Sequence, residues 1–127
     1  MKTLTFKPVL ALFLFAVIML ASCKKDAATI EEGLTGIWTG AYKPGDSDYF
    51  LRANFIAGGT IQILSNDNVL KASGTWKLEG LQIYAEYKYG QNSIYKFKGV
   101  YNHVTQKITG WQGEDDDFNS PFYLNKD

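Results

Sequence analysis

LQIYAEYKY, residues 81–89, alternates without a break. Leu81, Ile83, Ala85, Tyr87 and Tyr89 share one side of an extended chain, and Gln82, Tyr84, Glu86 and Lys88 share the other. Successive side chains of a strand point to opposite faces, so a period of two with one apolar side marks a half-buried antiparallel strand. The same rhythm continues outward in both directions. SIYKFKGVY (93–101) places Tyr95, Phe97, Gly99 and Tyr101 inward, against Lys96 and Lys98. YFLRANF (49–55) places Tyr49, Leu51, Ala53 and Phe55 opposite Arg52 and Asn54. After Gly33 no stretch carries a helical stripe.

Turn chemistry separates these runs. Lys43-Pro44-Gly45-Asp46, Gly58-Gly59, Ser65-Asn66-Asp67-Asn68, Glu79-Gly80 and Gly90-Gln91-Asn92 supply residues that tolerate turn dihedrals. A looser connection covers 102–107 and an acidic one covers 113–117. The spacing predicts strands at about 35–42, 49–56, 60–65, 69–78, 81–89, 93–102, 107–112 and 118–126. Sequential strands with short links predict an all-β, eight-stranded antiparallel up-and-down barrel, because closure removes the two open edges of a sheet. An open sandwich is the alternative.

Gly36-Ile37-Trp38 and Gly74-Thr75-Trp76 repeat a Gly-x-Trp pattern, partly echoed by Gly110-Trp111. Glycine and tryptophan of each pair share a face, so each glycine is expected to leave room for an indole from across the barrel. Leu34-Thr35-Gly36-Ile37-Trp38 resembles the first strand of lipocalin-like and avidin-like barrels. With the closing Phe122-Tyr123-Leu124, the repeated motif resembles small lipocalin-like domains of bacterial lipoproteins. Classical lipocalins pack a late arginine on the first-strand tryptophan; here the only arginine is Arg52, and the last strand offers Lys126. Avidin-like barrels hold a ureido group with an asparagine two residues after that tryptophan. Gly40 stands there, so biotin binding is not carried over.

Ahead of the barrel lies a leader. Lys2 and Lys7 precede an apolar run, Val9 to Ala21, that is shorter than the roughly 20 residues a membrane-spanning helix needs. A basic start, an apolar middle and small residues at the end describe a secretory signal peptide, with a transmembrane anchor as the alternative. Leu20-Ala21-Ser22-Cys23 resembles the lipobox of bacterial lipoproteins, which implies cleavage before Cys23 and acylation of its thiol. Cys23 is the only cysteine of the chain, so no internal disulfide competes for it. The organisation expected is a lipoprotein signal peptide at 1–22, an acylated cysteine and polar tether at 23–33, and a lipocalin-like domain at 34–127. Lys24 stands where inner-membrane lipoproteins of Gram-negative bacteria carry aspartate, so the resemblance implies a lipid-anchored protein of the outer membrane.

Charge and composition narrow the function. Without Lys2 and Lys7, 11 basic side chains face 13 acidic ones, a net charge of −2 with no basic cluster. Nucleic acid is therefore not an expected partner, since phosphate binding needs concentrated positive charge. His103 stands in a loop with no second histidine, and Glu114-Asp115-Asp116-Asp117 lacks the alternating spacing of a calcium loop; no metal and no cofactor are expected. No serine sits in a nucleophile turn, so no enzyme is expected.

The predicted inward set is rich in rings: Trp38, Tyr42, Tyr49, Phe55, Trp76, Tyr87, Tyr89, Tyr95, Phe97, Tyr101, Phe118 and Phe122. An eight-stranded barrel is wide enough to be filled by side chains or to hold one small ligand. Buried hydroxyls need partners, so the tyrosines point to a polar end lined by Tyr42, Tyr87, Tyr89, Tyr95 and Tyr101. Two readings follow. One is an anchored module binding a small amphipathic or ring-bearing ligand at that end. The other is a protein-interaction module of the cell envelope, an accessory subunit or inhibitor. The second requires the outward residues Phe50, Ile56, Tyr84, Ile94, Val100 and Trp111 to gather into one patch.

Overall fold

Residues 30–43, 48–91 and 93–127 are described by a computed structural model of the chain. Eight strands follow in order: β1 (Gly36–Tyr42), β2 (Tyr49–Ile56), β3 (Thr60–Leu64), β4 (Leu70–Glu79), β5 (Gln82–Lys88), β6 (Ile94–Asn102), β7 (Lys107–Glu114) and β8 (Ser120–Lys126). Each pairs antiparallel with the next, and β1 pairs with β8, so the sheet closes into an up-and-down barrel. The open sandwich is excluded by that last pairing. Every expected strand is present, with ends displaced by no more than two residues. The leader, Cys23 and the first tether residues lie outside the described residues.

Period-two burial holds along the strands. β5 alternates buried Ile83, Ala85 and Tyr87 with outward Gln82, Tyr84, Glu86 and Lys88. Trp38, Phe55, Phe97 and Tyr101 are enclosed, with Leu51, Ile61, Ile83, Ile108 and Leu124 between them. The rings meet edge to face, Trp38–Tyr101 and Phe55–Trp76 both at 5.7 Å between centroids, an arrangement that aligns positive ring edges with negative faces.

Three expectations need correction. Residues 31–33 are not free tether: a helical turn ends at Leu34, whose side chain is completely buried beneath the barrel's end. An isolated apolar residue in a polar stretch leaves no periodic signal, so this plug was invisible in the pattern. Phe118 does not point inward; it lies in the β7–β8 connection on the outer wall, where Lys98 Nζ stands 4.4 Å from its ring centroid. Tyr49 keeps the inward parity but sits at the rim, about half exposed.

The glycines act differently from expectation as well. A methyl group at Gly74 would run into the Glu86 backbone, so this glycine permits close approach of β4 and β5 and holds no indole. Gly36 adopts φ of 119°, a conformation side-chain-bearing residues rarely take. The ring that lies over a glycine is Phe122, its Cζ 3.2 Å from where a Gly99 Cβ would be. Gly99, Gly110 and Phe122 occupy one register row across β6, β7 and β8.

Candidate functional site at the tyrosine end

β1 and β5 stand on opposite sides of the barrel, and both run toward the same end. Tyr42 closes β1 there, Tyr87 and Tyr89 come from the end of β5, and Tyr95 from the start of β6. Tyr87 and Tyr95 are register partners and stack at 6.1 Å, with planes 11° apart. Tyr89 stands edge-on to both, at 5.8 Å from Tyr87 and 5.3 Å from Tyr95. Tyr42 stacks on Tyr49 at 5.3 Å. Tyr87, Tyr89 and Tyr95 thus form one ring cluster, and Tyr42 ends β1 at the same end of the barrel.

Tyr101 does not join them. Its strand runs away from that end, and its ring packs on Trp38 near the helical turn. The hydroxyl has no hydrogen-bond partner among the described residues. Burial raises its pKa, and the nearby Gln106 side chain offsets part of that rise.

Beneath the converging rings lies a polar residue the ring census overlooked. Gln112 is 4% exposed, and its Oε1 accepts a 3.0 Å hydrogen bond from the Tyr87 hydroxyl. A buried amide in this position satisfies a phenol that would otherwise be desolvated without a partner. Strand parity, counting from Ile108 through Gly110, would have placed Gln112 inward.

Electrostatics keep these phenols neutral. Burial pushes Tyr87 far above the ordinary phenol value, with smaller contributions from Tyr89, Tyr42 and Tyr95. Tyr89 is pushed up to about 12, first by burial and then by the Tyr42 and Tyr95 phenols. Tyr42 rises for the same reasons, burial foremost. At neutral pH Tyr42, Tyr87 and Tyr89 therefore keep their protons and supply no phenolate.

Elsewhere, His103 is exposed in the β6–β7 loop. Asp116 of the acidic stretch bonds Lys96 at 2.9 Å. Among the described residues no group of three or more histidine, cysteine or acidic side chains is placed to hold a metal ion. Of the outward apolar residues, Tyr84, Val100 and Trp111 line one hollow on the wall formed by β5 to β8. Phe50 and Ile56 belong to β2, and Ile94 begins β6 at the tyrosine end. The six do not form one patch.

Comparison with protein-family models, with curated proteins and with solved structures returns no match for this chain. The fold and the tyrosine cluster define it as a small closed β-barrel with a phenol-lined end.

Proposed function

We propose that this barrel is a non-enzymatic, lipid-anchored binding module of the bacterial envelope. It holds one small amphipathic or ring-bearing ligand among Tyr42, Tyr87, Tyr89 and Tyr95. The observation that carries this reading is the ring cluster of Tyr87, Tyr89 and Tyr95, anchored by the Tyr87 hydrogen bond to buried Gln112, with Tyr42 at the same end. Small-ligand sites combine aromatic walls with a few fixed polar groups, and this end has both. The lipobox resemblance at Cys23 supports the anchor and an outer-membrane location.

One geometric feature supports approach from solution. The chain enters the barrel through the helical turn at 31–34, and β1 then runs from that end toward Tyr42. The barrel's own N-terminal turn thus lies at the end opposite the phenols. An anchored barrel can present its phenols away from the bilayer, to solutes rather than to its own lipids.

The test uses the full chain, purified from its native host in a mild, sugar-free detergent and weighed by native mass spectrometry. A co-purifying small molecule is expected, lost in Tyr89→Ala and Tyr95→Ala while the circular dichroism spectrum stays unchanged. A chain that carries no small molecule and instead brings down a protein replaces this reading with the protein-interaction one.

A further inference from the structure

The outer wall of β5 to β8 carries a hollow of about 690 Å³, on the opposite face of the sheet from the phenols. Its shape follows from the register. Tyr84, Lys98, Trp111 and Pro121 form one outward row across the four strands. The next outward row toward the helical-turn end is Gln82, Val100, Thr109 and Tyr123. Between them runs the inward-facing row of Gly99 and Gly110, paired across β6 and β7, whose backbone lines the floor. Tyr84 and Trp111 rise from strands two places apart, a span on the order of 10 Å.

Trp111 differs from every other outward ring here. Among the described residues, Phe50, Tyr84, Phe118 and Tyr123 each have a cation over them: Arg52, Lys77, Lys98 and Lys107, at 4.4–5.5 Å. Trp111 is 50% exposed; its cross-strand neighbour Lys98 turns its ammonium to Phe118, and among the described residues no cation or aromatic ring lies over the indole. The polar groups around it are poised outward. Tyr84 donates its hydroxyl to Gln82 Oε1 at 2.7 Å, which leaves the Gln82 amide NH2 facing the hollow with no protein acceptor among the described residues. Thr109 contributes a hydroxyl two residues from Trp111 on β7.

We propose that this hollow is a glycan-binding site, with Trp111 as the platform for a pyranose ring. A sugar ring presents C–H bonds on one face and hydroxyls around its edge. It therefore needs a bare aromatic face with donors and acceptors at the periphery, and this wall provides that pair. Tyr84, whose ring lies under Lys77, borders the far side of the hollow and meets the edge of the neighbouring sugar. The size agrees: the hollow falls within the range of small-ligand sites. Three or four apolar side chains are too few for a protein interface, which needs about 800 Å² from each partner.

The site is independent of the phenol end, so the two proposals fail separately. The full chain in sugar-free detergent is run by affinity electrophoresis in gels containing xyloglucan, galactomannan, pectin, laminarin, starch or dextran. Retardation by at least one of these polymers is expected, with intrinsic tryptophan fluorescence shifting on addition of its hexasaccharide. Trp111→Ala should weaken that binding by at least about tenfold, and Tyr84→Ala should weaken it less. Both positions are on the surface, so the fold survives. Tyr95→Ala, which alters the phenol end, should leave glycan binding unchanged. No retardation by any of the six polymers, or equal retardation of wild type and Trp111→Ala, overturns the proposal. So does a protein partner that is lost in Trp111→Ala.

Discussion

Lys126 reaches back from the last strand to the first: its Nζ stands 5.9 Å from the Trp38 ring centroid and donates to the carbonyl of Gly33. Trp38 in turn donates from Nε1 to the carbonyl of Leu34 at 2.7 Å. Two consecutive carbonyls at the end of the helical turn are thus satisfied by side chains, as a buried helix end requires. The pair joins the first strand, the last strand and the buried plug at one point.

Trp38→Ala should therefore remove core packing and a buried donor together, with a loss of roughly 3–5 kcal/mol in denaturant melts. Lys126→Met, which keeps the apolar stem, should lose only about 1 kcal/mol. Equal losses in the two variants would mean that the ammonium, not the indole, holds this end shut.

Trp76 and Thr75 are neighbours on β4 with opposite fates. Trp76 is buried and donates from Nε1 to the Ile56 carbonyl at 3.0 Å; Thr75 is exposed. Trp76→Ala should lose roughly 3–5 kcal/mol, a large share of the ~5–15 kcal/mol typical of a domain. Thr75→Ala should stay within about 0.5 kcal/mol. Similar midpoints for both would contradict the register of β4.

Gly110 tests the close approach of β6 and β7. A methyl group there would meet the Lys98 carbonyl and the Gly99 Cα, which are backbone atoms with little room to move. Gly110→Ala should destabilise by about 1–3 kcal/mol, as overpacking does. Thr109→Ala, exposed and one residue away, serves as the comparison and should lose little.

The phenol end should weaken the fold in alkali. An unfolded tyrosine loses its proton near 10.0, whereas Tyr89 in the barrel keeps it to about 12. Between these values the folded chain binds more protons than the unfolded one, so stability falls as pH rises. The contribution is complete below pH 10 and lost as the pH passes about 12. Because Tyr89 is only partly buried, its share is on the order of 1 kcal/mol. Denaturant melts from about pH 9 to 11.5 should show a shallower decline in Tyr89→Phe than in wild type. Parallel declines would place Tyr89 in a solvated setting.

Cys23 is expected to carry the lipid. Metabolic labelling with a palmitate analogue in the native host should mark the wild-type chain and not Cys23→Ser. Equal labelling of both would end the lipoprotein reading and, with it, the orientation argued above.

Strand positions, their order and the inward faces were legible in the sequence, because alternation and turn residues are local signals. Leu81 to Tyr89 alone specified which side of β5 faces the core, apart from Leu81 itself, which lies exposed in the preceding turn. Tyr42, Tyr87, Tyr89 and Tyr95 could be grouped from parity and from the direction each strand must run. Tyr101 could not be separated from them by face alone: it shares theirs but lies at the far end of β6, a matter of height along the barrel.

Other features exist only once the sheet closes. Lys126 meets Trp38 because β8 pairs with β1, a contact between residues 88 positions apart in the chain. Leu34 becomes a plug only when there is a barrel end to fill, and Gln112 acquires its role only when Tyr87 arrives from across the interior. The hollow beside Trp111 likewise depends on Tyr84, Lys98, Trp111 and Pro121 coming into register across four strands. Local periodicity sets the face on which a side chain stands. Closure sets the neighbour it meets there, because that neighbour comes from a distant part of the chain whose distance in sequence leaves no periodic trace.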